Sequence, residues 1–156
     1  MKSNEVTEEH LQIAFINWMR GAFLGQDVTA FHVRNENAVN AIQGKRFKDQ
    51  GVLAGVHDNI IIWPHRNFGT IELKSPSKPK SANKYSDKQQ AFAESMERAG
   101  WNERHACCQT GEEIEAVIRS WGLKPQWKFP PLERSGRNIL MQNVAFEMYG
   151  GWKKDT

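Results

Sequence analysis

The stretch Gly51–Lys74, GVLAGVHDNIIIWPHRNFGTIELK, decides the fold of this chain. Its first apolar run, residues 59–63, is rich in β-branched and aromatic residues, and residues 70–74 alternate between two faces. The segment between them, Pro64–Gly69, has turn-forming residues. The pattern therefore predicts a β-hairpin.

Three charged side chains stand at one end of this hairpin. Residues two apart on a strand share a face, so Glu72 and Lys74 should project together, while Ile71 and Leu73 point to the opposite side. Asp58 opens the partner strand and can meet them. We expect the three charged groups to form one cluster.

These residue types suit metal-dependent cleavage of a phosphodiester bond. Mg²⁺ or Mn²⁺ takes oxygen ligands, so Asp58 and Glu72 can hold the ion with a substrate phosphate completing its shell. Such a metal acidifies an attacking water and stabilises charge on the phosphate. Lys74 can position or help deprotonate that water. The alternative is that Asp58 is a turn residue and that Glu72 and Lys74 form a solvated strand face.

The chain also resembles a known family, the VRR-NUC domain of the PD-(D/E)XK nuclease superfamily. The similarity covers about Glu8 to Gly122, and its motifs occur in the family's order. They are Arg34-Asn35, Gly44-Lys45-Arg46, Gly51–Asp58, Ile71–Lys74 and Ser86–Gln89. The resemblance implies an α/β fold with a restriction-endonuclease-like core, in which helices flank a mixed β-sheet. One departure is His57, which stands where the family usually has proline.

The resemblance adds further site residues to the cluster. The family's first helix carries a Glu followed four positions later by a Gln near the metal, here Glu8 and Gln12, and the family places Gln89 in the active site. Local chemistry offers alternatives: Glu8 can simply favour the helix dipole, and Gln89 can simply complete a capping box with Ser86. His57 is either a satisfied turn residue or an added titratable group.

The remaining elements follow from apolar spacing and caps. A Thr7 cap precedes a helical stripe, and the capping boxes at Ser86 and Thr110 begin helices that end at Gly100 and Gly122. Strands are expected near residues 28–33 and 103–108, with a linking segment through Lys48.

Composition indicates one domain. With 156 residues and 39% hydrophobic content, the chain can bury a core. We expect a nuclease domain over residues 1–122 and an extension over 123–156 that packs on the core or on a dimer partner. The absence of a membrane span and of a signal-peptide pattern predicts a cytoplasmic protein, in the host cytoplasm if viral. The adjacent Cys107 and Cys108 are expected to be buried. The sequence has no Gly-x-x-x-x-Gly-Lys loop for binding phosphates, so we expect no nucleotide cofactor.

The net charge is only +3, so binding to nucleic acid requires local basic patches. The first precedes the Asp58 strand and comprises Lys45, Arg46 and Lys48. The second leaves directly from the catalytic strand and comprises Lys78, Lys80, Lys84 and Lys88. We expect both to contact phosphates, although the second could be only a solvated flexible loop.

Taken together, the sequence predicts a Mg²⁺- or Mn²⁺-dependent DNA endonuclease with Asp58, Glu72, Lys74, Gln89 and Glu8 as catalytic residues. The competing interpretation is a non-catalytic nucleic-acid-binding module on the same fold. Because the family includes dimeric junction-resolving enzymes, we expect a homodimer that cuts branched DNA, with a four-way junction as leading substrate. The apolar run Ile139–Tyr149 offers surface for such a dimer.

Overall fold

The computed structural model describes residues 5–34 and 40–132. Its helices are α1 (Glu8–Ala22), α2 (Ala41–Asp49), α3 (Asp87–Arg98) and α4 (Gly111–Ser120). Its strands are β1 (Thr29–His32), β2 (Asn59–Trp63), β3 (Asn67–Leu73) and β4 (His105–Cys108), and a short 3-10 turn covers Lys80–Ala82. The predicted class, an α/β fold with a mixed sheet flanked by helices, is confirmed, and it is compatible with a restriction-endonuclease-like core.

The strands form one sheet in the order β1-β2-β3-β4. The first three are antiparallel, and β4 runs parallel to β3 with Leu73 opposite Cys108. A parallel pair needs a crossover connection, and α3 lies in the segment that provides it. In this order β2 and β3 are the two central strands.

The predicted hairpin is present, but β3 begins at Asn67 rather than at Thr70. The turn needs only three residues, because His65 and Arg66 adopt φ values of 69° and 63°. The Asn67 side-chain amide donates to the Pro64 carbonyl oxygen at 2.6 Å and closes the turn. The hairpin is consequently longer than the alternation pattern indicated.

The main core lies on the sheet face that is covered by α1 and α4. It combines Ile61, Ile71 and Leu73 from the sheet with residues of both helices, all of them fully buried: Leu11, Phe15, Trp18, Ile114 and Ile118. The Thr7 side chain caps α1 as expected, since its oxygen accepts from the His10 backbone N–H. This packing fixes β3, and hence the position of Glu72, from behind.

The segment expected to be a linker through Lys48 contains helix α2. Asn40 caps it, and its side chain accepts from the Gln43 backbone N–H. No residue of α2 is buried, and Ile42 is 76% exposed, so its sequence carries no apolar stripe that would have predicted a helix. This helix presents its side chains to the solvent.

The first residues of the C-terminal extension pack on the core. Leu123 is buried, and the Phe129 ring lies 5.2 Å from the Trp18 ring. The Trp18 indole donates to the Trp127 carbonyl oxygen at 3.0 Å. The run Ile139–Tyr149 lies outside the described residues. No helix in the described part of the chain is long and apolar enough to cross a membrane.

Two glycines in the loop before β2 allow a matched test of how this loop packs. Gly51 and Gly55 have φ values of +87° and +91°, but only a Cβ at Gly55 would meet another element, the Lys88 carbonyl at the start of α3. Gly51→Ala should cost about 1–2 kcal/mol of unfolding free energy for the left-handed backbone. Gly55→Ala should cost about 1–3 kcal/mol more, because α3 must shift. Denaturant unfolding measures both values, and equal losses would contradict the packing.

Candidate active site

Reciprocal hydrogen bonds join Asp58 to strand β3. The Asp58 backbone N–H donates to Glu72 Oε2 at 3.0 Å, and the Leu73 backbone N–H donates to Asp58 Oδ2 at 3.1 Å. Each acidic side chain is thus held by the backbone of the opposite strand. The predicted meeting of Asp58 with Glu72 is present in the structure.

Glu72 is a buried carboxylate, only 3% exposed. Its Oε1 accepts from Lys74 Nζ at 3.4 Å and from Gln89 Nε2 at 2.6 Å. A surface ion pair would leave Glu72 in water, so this burial excludes the alternative of a solvated strand face. Glu72 and Lys74 do project together, as their spacing predicted.

Gln89 joins the start of α3 to this cluster. Its Oε1 accepts from the Ser86 backbone N–H at 2.8 Å and from Lys74 Nζ at 2.9 Å, while its Nε2 donates to Glu72. The cap and the contact with the acidic cluster are thus made by one side-chain amide. A carbonyl oxygen has two lone pairs, which permits the double acceptance.

Helix α1 brings Glu8 to the edge of the cluster. The Glu8 side chain is exposed overall, but partial burial of its carboxyl and the nearby charge of Asp58 raise its pKa. Glu9, the next residue, is exposed, and its carboxyl takes no part in the hydrogen bonds of the cluster. Glu8 therefore lies near enough to Asp58 and Lys74 for their charges to act on its carboxyl, at the edge of the cluster and not inside it.

Asn59 is a site-forming residue that the sequence analysis missed. It is fully buried and exchanges two amide hydrogen bonds with Gln12 of α1, at 2.7 and 2.9 Å. The signal was a polar residue at a core-facing strand position, since residues 59, 61 and 63 share a face. This amide pair ties α1 to the residue next to Asp58.

His32 is a second residue that the sequence analysis did not single out. Its Nδ1 lies 2.9 Å from the Asp58 carbonyl oxygen, which places the imidazole beside the cluster. No spacing rule connects the end of β1 with Asp58. The contact arises from the β1–β2 pairing, in which His32 lies opposite Asn59.

His57 is fully buried beneath the cluster. Its Nδ1 lies 2.8 Å from Thr70 Oγ1 and its Nε2 lies 3.0 Å from the Gln89 carbonyl oxygen. Burial lowers the pKa of His57 to about 4, so the ring is neutral at neutral pH. Both nitrogens have partners, which is the satisfied arrangement rather than a titratable group facing the metal.

The acidic groups themselves have unusual electrostatics. Burial, and then the charge of Asp58, raise the pKa of Glu72 to about 7, against the opposing effect of Lys74. Burial likewise raises the pKa of Asp58. Two carboxyls that are both desolvated and close together disfavour their charged forms. A divalent cation between them would remove this penalty.

The donor set fits a hard cation. In the described residues no three His, Cys, Asp or Glu side chains are grouped as a metal site that the protein completes alone. Mg²⁺ is usually held by one or two carboxylates, with water and substrate phosphate as further ligands. Asp58 and Glu72 provide that number, and Glu8 lies close enough to Asp58 to interact with it electrostatically.

The second basic patch lies on a loop that is held in place. Gln109 is 4% exposed, and its Nε2 donates to the carbonyl oxygens of Ser75, Lys78 and Pro79, at 3.0, 2.6 and 3.2 Å. The loop is thus more constrained than the solvated, flexible alternative would suggest. The charge of Lys78 reaches Glu8, which places the patch beside the acidic cluster.

The predicted basic residues are all exposed, and the two patches have different supports. Lys45, Arg46 and Lys48 lie on α2. Lys78 precedes the 3-10 turn, Lys80 opens it, Lys84 follows it, and Lys88 lies in the first turn of α3. Lys45 forms an exposed ion pair with Asp49 at 3.0 Å, and the exposed side chains of both patches can still reach a polyanion.

The cysteines play no part in the cluster. Cys108 is buried and Cys107 is partly buried, and neither forms a disulfide. Burial raises the pKa of the Cys107 thiol to about 11 and also raises that of Cys108. Both thiols are therefore unreactive at neutral pH.

Comparisons of the chain with protein-family models, with curated proteins and with solved structures found no match. The functional proposal therefore rests on the residues and their geometry.

The raised pKa of Glu72 should make the unfolding free energy depend on pH. Because the pKa of Glu72 is about 7 in the folded state and 4.5 ordinarily, this carboxyl stabilises the folded state fully below pH 4.5. That stabilisation is lost as the pH rises through 7. In EDTA, wild-type protein should therefore lose about 1 kcal/mol of unfolding free energy between pH 6 and 8, relative to Glu72→Gln. His57 is common to both proteins, so its effect cancels. Denaturant unfolding at pH 6, 7 and 8 measures the difference, and parallel pH profiles would refute the assignment.

Proposed function

We propose that this protein is a Mg²⁺- or Mn²⁺-dependent endonuclease that hydrolyses phosphodiester bonds of DNA, related to the VRR-NUC domain. The single observation that carries the proposal is the pairing of half-buried Asp58 with buried Glu72, with Lys74 on the same strand face as Glu72. Burying carboxylates is costly, and the raised pKa of both groups expresses that cost. A bound cation would stabilise the charged forms of both carboxyls.

Each residue has a distinct task in this proposal. Asp58 and Glu72 hold the metal, which supplies an acidified water and stabilises the phosphate charge. Lys74 carries a positive charge at the same site and can orient the attacking water or the phosphate. Gln89 holds Lys74 and Glu72 in position, since its side-chain oxygen accepts from Lys74 and its side-chain nitrogen donates to Glu72. Glu8 adds a carboxylate at the rim.

The basic patches support DNA as the substrate. The loop with Lys78, Lys80 and Lys84 follows directly after Lys74, and Gln109 holds it beside the acidic cluster. Lysines there can draw a phosphate backbone toward the metal. The α2 patch of Lys45, Arg46 and Lys48 is solvent-exposed and can contact a second stretch of backbone.

The second candidate is a binding module that keeps the fold without chemistry. The basic surface alone would suit it. The buried acids favour the enzyme, because carboxylates repel phosphate unless a cation intervenes. Incubation of the protein with branched, single-stranded and duplex DNA, in Mn²⁺ or in EDTA, separates the two candidates: binding without metal-dependent cleavage of any substrate would favour the module.

Substitutions at the cluster give the first test. Asp58→Asn keeps an acceptor for the Leu73 N–H but weakens metal ligation, and Glu72→Ala removes a ligand, so both should abolish detectable cleavage. Lys74→Ala should lower kcat about 100-fold, a loss typical of removing one group that stabilises the transition state, and should leave Mn²⁺ binding measurable. Single-turnover cleavage and calorimetric Mn²⁺ titration provide the readouts.

A neighbouring pair on α1 supplies the matched control. Glu8→Gln should lower activity, whereas Glu9→Gln, one residue further along the same helical turn, should leave it unchanged. Wild-type turnover by a folded Asp58→Asn protein would refute the assignment.

We further propose that the enzyme is a homodimer and that its leading substrate is a four-way DNA junction. The described residues form one acidic cluster per chain, and such a site makes one nick. Symmetric processing of a junction needs two sites related by a two-fold axis, which a dimer supplies.

The dimer and its substrate can be tested together. Light scattering should give twice the monomer mass, and a panel of equal-concentration substrates should show a junction cut faster than flaps, duplexes or single strands. A monomer that degrades linear single strands as readily as junctions would refute this proposal while leaving the nuclease assignment intact.

A further inference from the structure

We propose that His57 is a positioning residue that sets the start of α3, so that the Gln89 amide reaches both Glu72 and Lys74. This inference rests on the proposed function, because it gives His57 a part in the activity of that site. It assigns His57 no contact with metal or substrate.

The hydrogen bonds of His57 define its orientation. A carbonyl oxygen only accepts, so Nε2 carries the ring proton and donates to the Gln89 carbonyl oxygen at 3.0 Å. In the neutral ring Nδ1 is then an acceptor, 2.8 Å from the Thr70 hydroxyl oxygen. The single Thr70 hydroxyl proton has a second acceptor, Met96 Sδ at 3.2 Å, but a thioether sulfur accepts more weakly than a ring nitrogen, so the proton is assigned to Nδ1. His57 therefore links β3 to the first turn of α3.

Aromatic packing holds the ring in this orientation. Tyr85 stacks on His57 with centroids 4.6 Å apart and planes 8° from parallel, and Phe92 of α3 meets its face edge-on at 4.8 Å. The side chain is fully buried, so it cannot reach a DNA phosphate. Any influence on catalysis must pass through its partners.

The partner that matters is Gln89. His57 fixes its backbone carbonyl, while its side chain bonds to Glu72 at 2.6 Å and to Lys74 at 2.9 Å. A shift of the first turn of α3 would lengthen both side-chain bonds. Gly55 supports the same turn from the loop side, since its Cα lies against the Lys88 carbonyl.

A double-mutant cycle tests whether His57 acts through Gln89. His57→Leu removes both hydrogen bonds at similar volume, and His57→Gln restores a donor near the Nε2 position. Each is combined with Gln89→Ala, and kcat is measured in Mn²⁺ at a temperature where every variant is folded. Ile118→Val, a core change on the far side of the sheet, controls for lost stability alone.

The expected result is non-additive. His57→Leu should lower kcat about tenfold or more in the wild-type background, as is typical when a supporting partner of a metal site is lost, and less than about twofold in the Gln89→Ala background. His57→Gln should recover much of the activity, and Ile118→Val should leave kcat unchanged. Equal losses from His57→Leu in both backgrounds would overturn the proposal.

A spectroscopic readout keeps this test separate from the nuclease assignment. The side-chain amide resonances of ¹⁵N-labelled Gln89, recorded in EDTA, should shift in His57→Leu and return toward the wild-type position in His57→Gln. An unchanged Gln89 signal in His57→Leu would overturn the proposal, whether or not the wild-type protein cleaves DNA. If His57→Leu does not fold, His57→Asn, whose shorter amide reaches only to the Nδ1 position, removes the bond to the Gln89 carbonyl, and Thr70→Val removes the bond at Nδ1. The Gln89 signal should then shift in His57→Asn, and an unchanged signal there would overturn the proposal.

Discussion

The exchange of hydrogen bonds between Asp58 and strand β3 is the constraint on which the site depends. The Asp58 N–H holds Glu72, and the Leu73 N–H holds the Asp58 carboxylate. Ile71 and Leu73, on the other face of the same strand, are fully buried against α1 and α4. The hydrophobic core therefore fixes the acids indirectly, because the strand that carries Glu72 cannot move without disturbing that core.

Helix α3 completes the arrangement on the opposite face of the sheet. The Gln89 side-chain oxygen accepts from the Ser86 backbone N–H, and the same side-chain amide bonds to Glu72 and Lys74. His57 contacts the first turn of this helix through the Gln89 carbonyl oxygen, and Gly55 packs against the Lys88 carbonyl in the same turn. These donors offset part of the desolvation of buried Glu72 and half-buried Asp58, and the rest raises the pKa of both carboxyls, an effect that a bound cation would reverse.

The sequence predicted the parts that depend on local periodicity. The hairpin, the Thr7 and Ser86 caps and the shared face of Glu72 and Lys74 all follow from strand and helix geometry, as does the α/β class. It could not predict α2, because that helix buries no residue. Nor could it reveal the contacts of His32, Asn59 or Gln109, since each depends on strand register or on a distant loop. The dual role of Gln89 needed the exact position of α3.

The central claim is that Asp58 and Glu72 form a metal-binding pair, and anomalous scattering from crystals grown with Mn²⁺ tests it most directly. At pH 8, where Glu72 is ionised, the account predicts an anomalous peak within about 2.0–2.4 Å of carboxylate oxygens of both residues, close to the distances of hard divalent cations. The peak should vanish in Glu72→Ala. A fully occupied Mn²⁺ elsewhere, with none between Asp58 and Glu72, would contradict the claim.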